Sequence, residues 1–230
     1  MWWFDKKAVA RGEKLRDFYK IDLMIETGTF KGLNLKFWSY RFPYVIGIEK
    51  DAAYCQLTRE RIATRNNATL YHESSPQYLS SITRMNRGKS PVLFYLDAHF
   101  YDPAVLPEKR WVVRDELKAL NNFHNCVIVI HDFDCHGLGH LVYDGQPLNL
   151  DLIREDLMGV NPDFHLYGNT RDGCEAHTVE SITGVEGLEP DEETIETINY
   201  HNTDRLKYRG ILYATPTPLD LTKFDLVEIG

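Results

Sequence analysis

No stretch of this 230-residue chain approaches the roughly 18 consecutive apolar residues that a helix needs to span a bilayer, so no membrane association is expected. Basic charge is not in excess either. There are 26 Lys and Arg against 34 Asp and Glu, a net charge of −8. A general nucleic-acid binder needs a basic stripe, so nucleic acid is not the expected partner. Arg84, Arg87 and Lys89 form the one local basic patch that stands out. Cysteine is scarce: Cys55, Cys126, Cys135 and Cys174 are widely spaced, with no Cys-x-x-Cys pair. They read as reduced, buried, small apolar residues and not as a disulfide framework. Met1-Trp-Trp-Phe-Asp-Lys-Lys lacks the apolar segment of a signal peptide, and the expectation is a soluble, cytoplasmic protein. Internal repeats and low-complexity tracts are missing as well.

What is there is enough apolar material for a core, 43% of residues, in a length that fits one α/β domain over 1–230. Apolar spacing predicts an N-terminal helix over 5–19, with Ala8, Leu15, Phe18 and Tyr19 on one face. Strands are expected at 21–25, 44–48, 68–71, 92–96 and 126–130. The helices between them carry Leu35 and Trp38, then an Asp51 cap, then Pro76 in a first turn, then Val113, Leu117 and Leu120. Residues 133–147 read as a loop. A helix around Leu150, Ile153 and Leu157 and strands at 164–167 and 211–213 complete the pattern. The acidic stretch 171–207 shows no clear period and reads as an insertion or a lid. Alternating strands and helices indicate parallel βαβ units, which bind ligands at the carboxyl ends of the strands.

Glu26, Glu49, Asp97 and Asp132 each stand at or just past the end of an apolar strand, so a parallel sheet would bring them to one edge. The turn after the first strand is Glu26-x-Gly28-x-x-x-Gly32. A dinucleotide site prefers Gly-x-Gly-x-x-Gly, whose amides receive a pyrophosphate. Here Glu26 takes the place of the first glycine, where a carboxylate repels pyrophosphate and attracts an ammonium. Glu49 follows 23 residues later, where an acid can take both ribose hydroxyls. A nucleoside with a cationic tail, such as S-adenosylmethionine, fits better than NAD.

On these motifs the chain resembles the class I S-adenosylmethionine-dependent methyltransferases over residues 20–135. They are Ile25-Glu-Thr-Gly-Thr-Phe-Lys-Gly32, Val45-Ile-Gly-Ile-Glu49, His72-Glu-Ser-Ser75 and Tyr95-Leu-Asp-Ala-His99. The resemblance implies a Rossmann-like, seven-stranded, mostly parallel sheet with helices on both faces. It implies cofactor contacts at Glu26, Gly28, Thr29, Gly32, Glu49, Glu73, Ser74 and Asp97. Leu96-Asp-Ala-His99, Arg114-Asp-Glu-Leu-Lys118 and Val127-Ile-Val-Ile-His-Asp132 are similar to a small-molecule O-methyltransferase branch, with macrocin- and catechol-type enzymes as distant, metal-using relatives. The expected acceptor is then a hydroxyl on a small or sugar-like molecule. An NAD(P)-dependent oxidoreductase on a similar sheet and a non-catalytic binding or assembly protein are the rivals. A homo-oligomer is compatible with the sequence and not specified by it.

Removing the acceptor's proton needs a base or a metal. Asp97, His99, His131 and Asp132 are the catalytic candidates. One reading has Asp97, Asp132 and Asp134 bind magnesium. Phe133 separates the last two where the relatives carry an adjacent pair. A second makes His99 or His131 the base. A third takes His131, Cys135, His136 and His140 as a zinc site of unusual spacing. Phe100, Tyr101 and Trp111 are candidates for an acceptor pocket or for packing.

Overall fold

Asp5 opens the first helix: its carboxylate accepts from the Lys7 and Ala8 amides, and α1 runs Lys6–Tyr19. The face it buries carries Ala8, Arg11, Gly12 and Leu15, while Phe18 of the expected face is exposed. In this computed structural model the described residues are 2–85, 90–99, 110–135, 142–143, 146–203 and 208–230. Arg87, Lys89, Phe100, Tyr101, His136 and His140 lie outside them.

The chain then alternates. β1 is Leu23–Thr27, α2 Leu33–Ser39, β2 Tyr44–Glu49, α3 Ala52–Ile62, β3 Ala68–His72, α4 Ser75–Met85 and β4 Val92–Leu96. After it come α5 Val113–Ala119, β5 Cys126–Ile130 and a small hairpin of β6 Val142–Tyr143 with β7 Gln146–Pro147. α6 Leu150–Val160, β8 His165–Gly168, α7 Glu192–His201, β9 Leu212–Thr215, α8 Leu221–Phe224 and β10 Val227–Glu228 finish the chain.

The main sheet runs β3-β2-β1-β4-β5-β9-β8-β10. The first five strands are parallel, and β9 enters antiparallel between β5 and β8. Strand order reverses between β1 and β4, the switch point at which such sheets open a crevice. The sheet has eight strands where seven were expected: β10 pairs with β8 through two residues, too few to leave a period in the sequence.

Both faces are covered, which is why the parallel strands read as unbroken apolar runs. In β4, Val92, Phe94 and Leu96 face a core built with Leu79, Leu117 and Ile153, while Leu93 and Tyr95 face one built with Trp2, Leu15 and Trp38. Trp2 stacks almost parallel on Tyr95, with ring centroids 5.1 Å apart.

The acidic stretch 171–207 has more order than its sequence implied. Asp191 caps α7, and Ile182, Leu188 and Ile198 are buried. Its acids face cations of the first βα units: Glu193 pairs with Lys31 at 2.9 Å and with Arg61, and Glu189 with Lys36 at 2.8 Å.

Candidate active site

The ends of the parallel strands open into a cavity of about 1060 Å³, and all four strand-end acids line it: Glu26, Glu49, Asp97 and Asp132. Glu26 sits inside β1, so its side chain is buried, 2% exposed. One oxygen accepts from Asn34 Nδ2 at 2.7 Å. Asn34 is fixed from the other side, because its Oδ1 accepts from the Trp38 indole at 3.1 Å and the Trp3 amide at 3.3 Å. An indole N–H can only donate, so the Asn34 amide must turn its NH₂ to Glu26. The second oxygen, Oε2, has no hydrogen-bond partner. Burial first, with the charges of Asp97 and Glu49 behind it, pushes this carboxyl up to about 8 against the pull of Asn34. A buried, half-satisfied carboxyl on a cavity wall is a site for a cationic donor.

The turn after β1 is shaped for a close approach. Gly28 has φ 69°, and a Cβ there would lie 2.8 Å from Ala98 Cα and 2.9 Å from the Asp97 carbonyl oxygen. Gly32 packs the turn against Thr58 and does not line the cavity. Thr29 does line it, and its buried Oγ1 also has no partner. Glu49 accepts from three backbone amides, those of Phe30, Lys50 and Asp51, each at 2.8 Å. A carboxylate offers about four acceptor directions, so one is open and not the pair that two ribose hydroxyls need. Glu73 and Ser74 border the same cavity beyond β3, and Phe30 and Tyr54 meet at 4.3 Å beside Glu49.

At the other end, His131 Nδ1 lies 3.3 Å from both Asp97 and Asp132. It is buried against the two carboxylates and is not among the described residues that line the cavity. Arg209 donates to Asp132 Oδ1. Burial alone would raise both acids. The chain N-terminus, then His131, carries Asp97 below the usual carboxylate range, and His131 with Arg209 carries Asp132 well below it. His99 lines the cavity, and burial lowers its pKa against the opposing charges of Asp132 and Asp97. Asp132 has φ 56°, as Phe30 has 52°. Left-handed backbone at a non-glycine residue costs roughly 1–2 kcal/mol. Both strained residues border the cavity.

The turn at Asp132 decides the metal question for Asp134. Left-handed backbone there breaks the alternation of β5 and buries Phe133 in the core. Asp134 then borders a separate cleft of about 210 Å³ with Cys135 and Asn149. The metal-capable side chains that do converge among the described residues are Asp97, His99 and Asp132, with ligand atoms within 4.8 Å of one another. Magnesium prefers an all-oxygen octahedron. This set contains an imidazole, and Asp132 already carries Arg209, so the residues do not fit the magnesium site expected of Asp97, Asp132 and Asp134. Of the residues of the zinc reading, His136 and His140 lie outside the described residues, and burial pushes the Cys135 thiol up to about 12. Trp111 packs in the core and donates to the Gln146 carbonyl at 3.3 Å.

Sequence reasoning missed several contributors. Asn34 and Trp38 are four apart on α2, a spacing that places them on one face. Arg209 stands two residues before the strand expected at 211–213. Glu116 of α5 is fully buried beside Ser75 and Thr27, and burial pushes it up to about 7. Neither of its oxygens has a well-aligned hydrogen-bond partner. Glu196, Thr197, Tyr200 and His201 bring α7 to the cavity wall.

Comparison with known proteins gives structures alone. No family model matches, and no curated protein matches. Solved structures of S-adenosylmethionine-dependent methyltransferases are among those similar to this chain. Such a methyltransferase from Anabaena variabilis is 15% identical, with 91% of this chain and 83% of that chain covered and a TM-score of 0.47. The geranyl diphosphate C-methyltransferase of Streptomyces coelicolor, solved with Mg2+, geranyl diphosphate and S-adenosyl-L-homocysteine, is 12% identical, with 90% and 79% covered and a TM-score of 0.47. The [4+2]-cyclase SpnF is 7% identical, with 90% and 82% covered and a TM-score of 0.49. A fold does not by itself assign a reaction, and chemistry has to be read from the residues.

Proposed function

We propose that this protein transfers a methyl group from S-adenosylmethionine to a hydroxyl of a small, sugar-like acceptor. The observation that carries the reading is Glu26: a carboxyl held by Asn34, buried on the cavity wall, with its second oxygen open. Pyrophosphate would be repelled there, which disfavours NAD, whereas an ammonium satisfies both the charge and the open oxygen. The cofactor supplies a methyl group on a positively charged sulfur. Glu26 receives the α-ammonium, Glu49 takes one ribose hydroxyl, and Glu73 with Ser74 borders the base. Gly28 leaves room for the methionine portion against Ala98.

Among the candidate bases, Asp97 and Asp132 are held ionised and weakly basic, and His131 is not among the described residues that line the cavity. His99 is the neutral imidazole on the cavity. It accepts the acceptor hydroxyl's proton, and Asp97 and Asp132 stabilise the imidazolium that forms. No step is routed through a metal.

The test is transfer of labelled methyl from S-adenosylmethionine to three panels: neutral monosaccharides, catechols and RNA. Transfer to a monosaccharide, lost in His99→Ala, is expected. Transfer to RNA or catechol contradicts the acceptor class. Tight cofactor binding with no transfer to any panel favours a binding module.

A further inference from the structure

His201 is the last residue of α7 and belongs to the acidic stretch 171–207, outside the strand-end motifs of the parallel sheet. It is 7% exposed and lines the cavity. Its ring packs on Phe4 at 4.8 Å and against Tyr200 at 5.3 Å. Those contacts fix the plane of the ring and satisfy none of its polar atoms. Nδ1 has no hydrogen-bond partner. A buried ring nitrogen left open costs stability, so an interior would ordinarily place an apolar ring beside Phe4 instead. Nothing about the packing of α7 calls for an imidazole, since Ile198 supplies its buried anchor.

Position narrows what the open nitrogen meets. The N-terminal end of α7 is tied down over the first turn, where Glu193 meets Lys31 and Arg61. The charges that bear on His201 at the other end are the chain N-terminus first, then Arg209, His131 and Asp132. Glu49 and Glu73, the proposed ribose and base contacts, belong to β2 and β3 on the far side of the sheet's switch point. The wall around His201 intermixes hydrogen-bond donors and acceptors: Arg209, Thr197 and Tyr200 with Asp132 and Glu196. Such a wall suits a neutral molecule with several hydroxyls better than an aryl ring, which seeks apolar plates.

We propose that His201 is an acceptor-recognition residue, whose Nδ1 hydrogen-bonds a hydroxyl of a neutral polyol acceptor, and that α7 is thereby the specificity wall of the site. This rests on the reading of the cavity as a cofactor-dependent methyltransferase site. Burial carries the imidazole down to about 2, so it is a neutral partner across the physiological range and carries no charge to the acceptor.

The test uses the full chain with 15N-labelled histidine. S-adenosylhomocysteine affinity and the thermal midpoint of the ligand-free protein are measured for wild type, His201→Phe and His201→Gln. Methyl glucoside, then catechol, is titrated into the cofactor-saturated wild type while the His201 ring resonances are followed. Expected is a saturable shift of Nδ1 with methyl glucoside and none with catechol, cofactor affinity within about twofold of wild type in both variants, and a midpoint for His201→Phe at or above wild type. The proposal is overturned by a midpoint several degrees lower in both variants, which would make His201 structural. A cofactor affinity reduced tenfold or more overturns it too, by moving the contact to the cofactor. A ring resonance unmoved by methyl glucoside, whether or not other cavity resonances move, also overturns it. Failure of the wild type to bind S-adenosylhomocysteine at all is a separate result, which strikes the underlying reading instead.

Discussion

Glu26 makes a prediction that is open to direct proton counting. With its carboxyl at about 8, roughly nine in ten molecules carry the neutral acid at pH 7 in the ligand-free protein. An ammonium in hydrogen-bond contact requires the carboxylate, so binding must release that proton. One pKa unit corresponds to about 1.4 kcal/mol, so lowering the pH from 7 to 6 should weaken S-adenosylhomocysteine by nearly tenfold. The ligand's own α-amine, ordinarily at about 7.7–8.0, stays mostly protonated in that interval and adds little. Above pH 8 affinity should fall again, since Glu26 is then ionised before binding while the ligand's amine loses its proton. The assay is calorimetric titration at pH 7 in two buffers of different ionisation enthalpy, which returns the protons released per ligand. About 0.8 is expected for wild type, the roughly 0.9 released by Glu26 less the roughly 0.1–0.2 taken up by the amine, and a slight uptake for Glu26→Gln, whose affinity should be weak and nearly flat between pH 6 and 7. Binding that releases no proton in wild type, or takes one up, would refute the assignment of the ammonium to Glu26.

Three further predictions come from the same geometry. Gly28→Ala forces a Cβ against Ala98 Cα and the Asp97 carbonyl with φ at 69°; the backbone conformation alone costs roughly 1–2 kcal/mol, so the thermal midpoint should fall and cofactor affinity drop at least tenfold by calorimetry. Glu116, at about 7 folded against an ordinary value near 4.5, contributes stability that is complete below about pH 4.5 and lost as pH rises through 7. The loss is on the order of 3 kcal/mol, and Glu116→Gln should flatten that part of the pH dependence in urea melts; a slope unchanged by the substitution counts against a neutral buried acid. Magnesium titrated to 1 mM into the ligand-free protein, about the scale at which weak sites fill, should give no saturable heat. Saturable magnesium binding that vanishes in Asp134→Ala would restore the three-carboxylate site.

The centre of the parallel sheet was legible because β1, β4 and β5 are buried on both faces and so announce themselves as apolar runs. Val92–Leu96 and Cys126–Ile130 are identical in expectation and structure. Glu26, Glu49, Asp97 and Asp132 were legible for a related reason, since an acid at the end of such a run has only the sheet edge to occupy. β10 was not, because two residues carry no period. Asp134 was misjudged because local spacing gives no sign that Asp132 turns left-handed and redirects the chain. Asn34, Arg209 and His201 reach the site from a helix, a loop and a distant acidic segment. Their roles depend on which orphan atoms they meet, and that is a property of tertiary packing. The roles of Glu189 and Glu193 within the stretch read as an insertion or a lid were hidden because their partners Lys31, Lys36 and Arg61 lie more than a hundred residues away.

The central claim is that the cavity is built for a nucleoside with a cationic tail and not for a dinucleotide. Its most direct test is calorimetric titration of the wild-type protein with S-adenosylhomocysteine and, separately, with NAD and NADP under the same conditions. Saturable one-to-one binding of S-adenosylhomocysteine with no detectable heat from either dinucleotide is the result predicted by the open carboxyl of Glu26. Saturable binding of NAD or NADP, with S-adenosylhomocysteine silent, would contradict it.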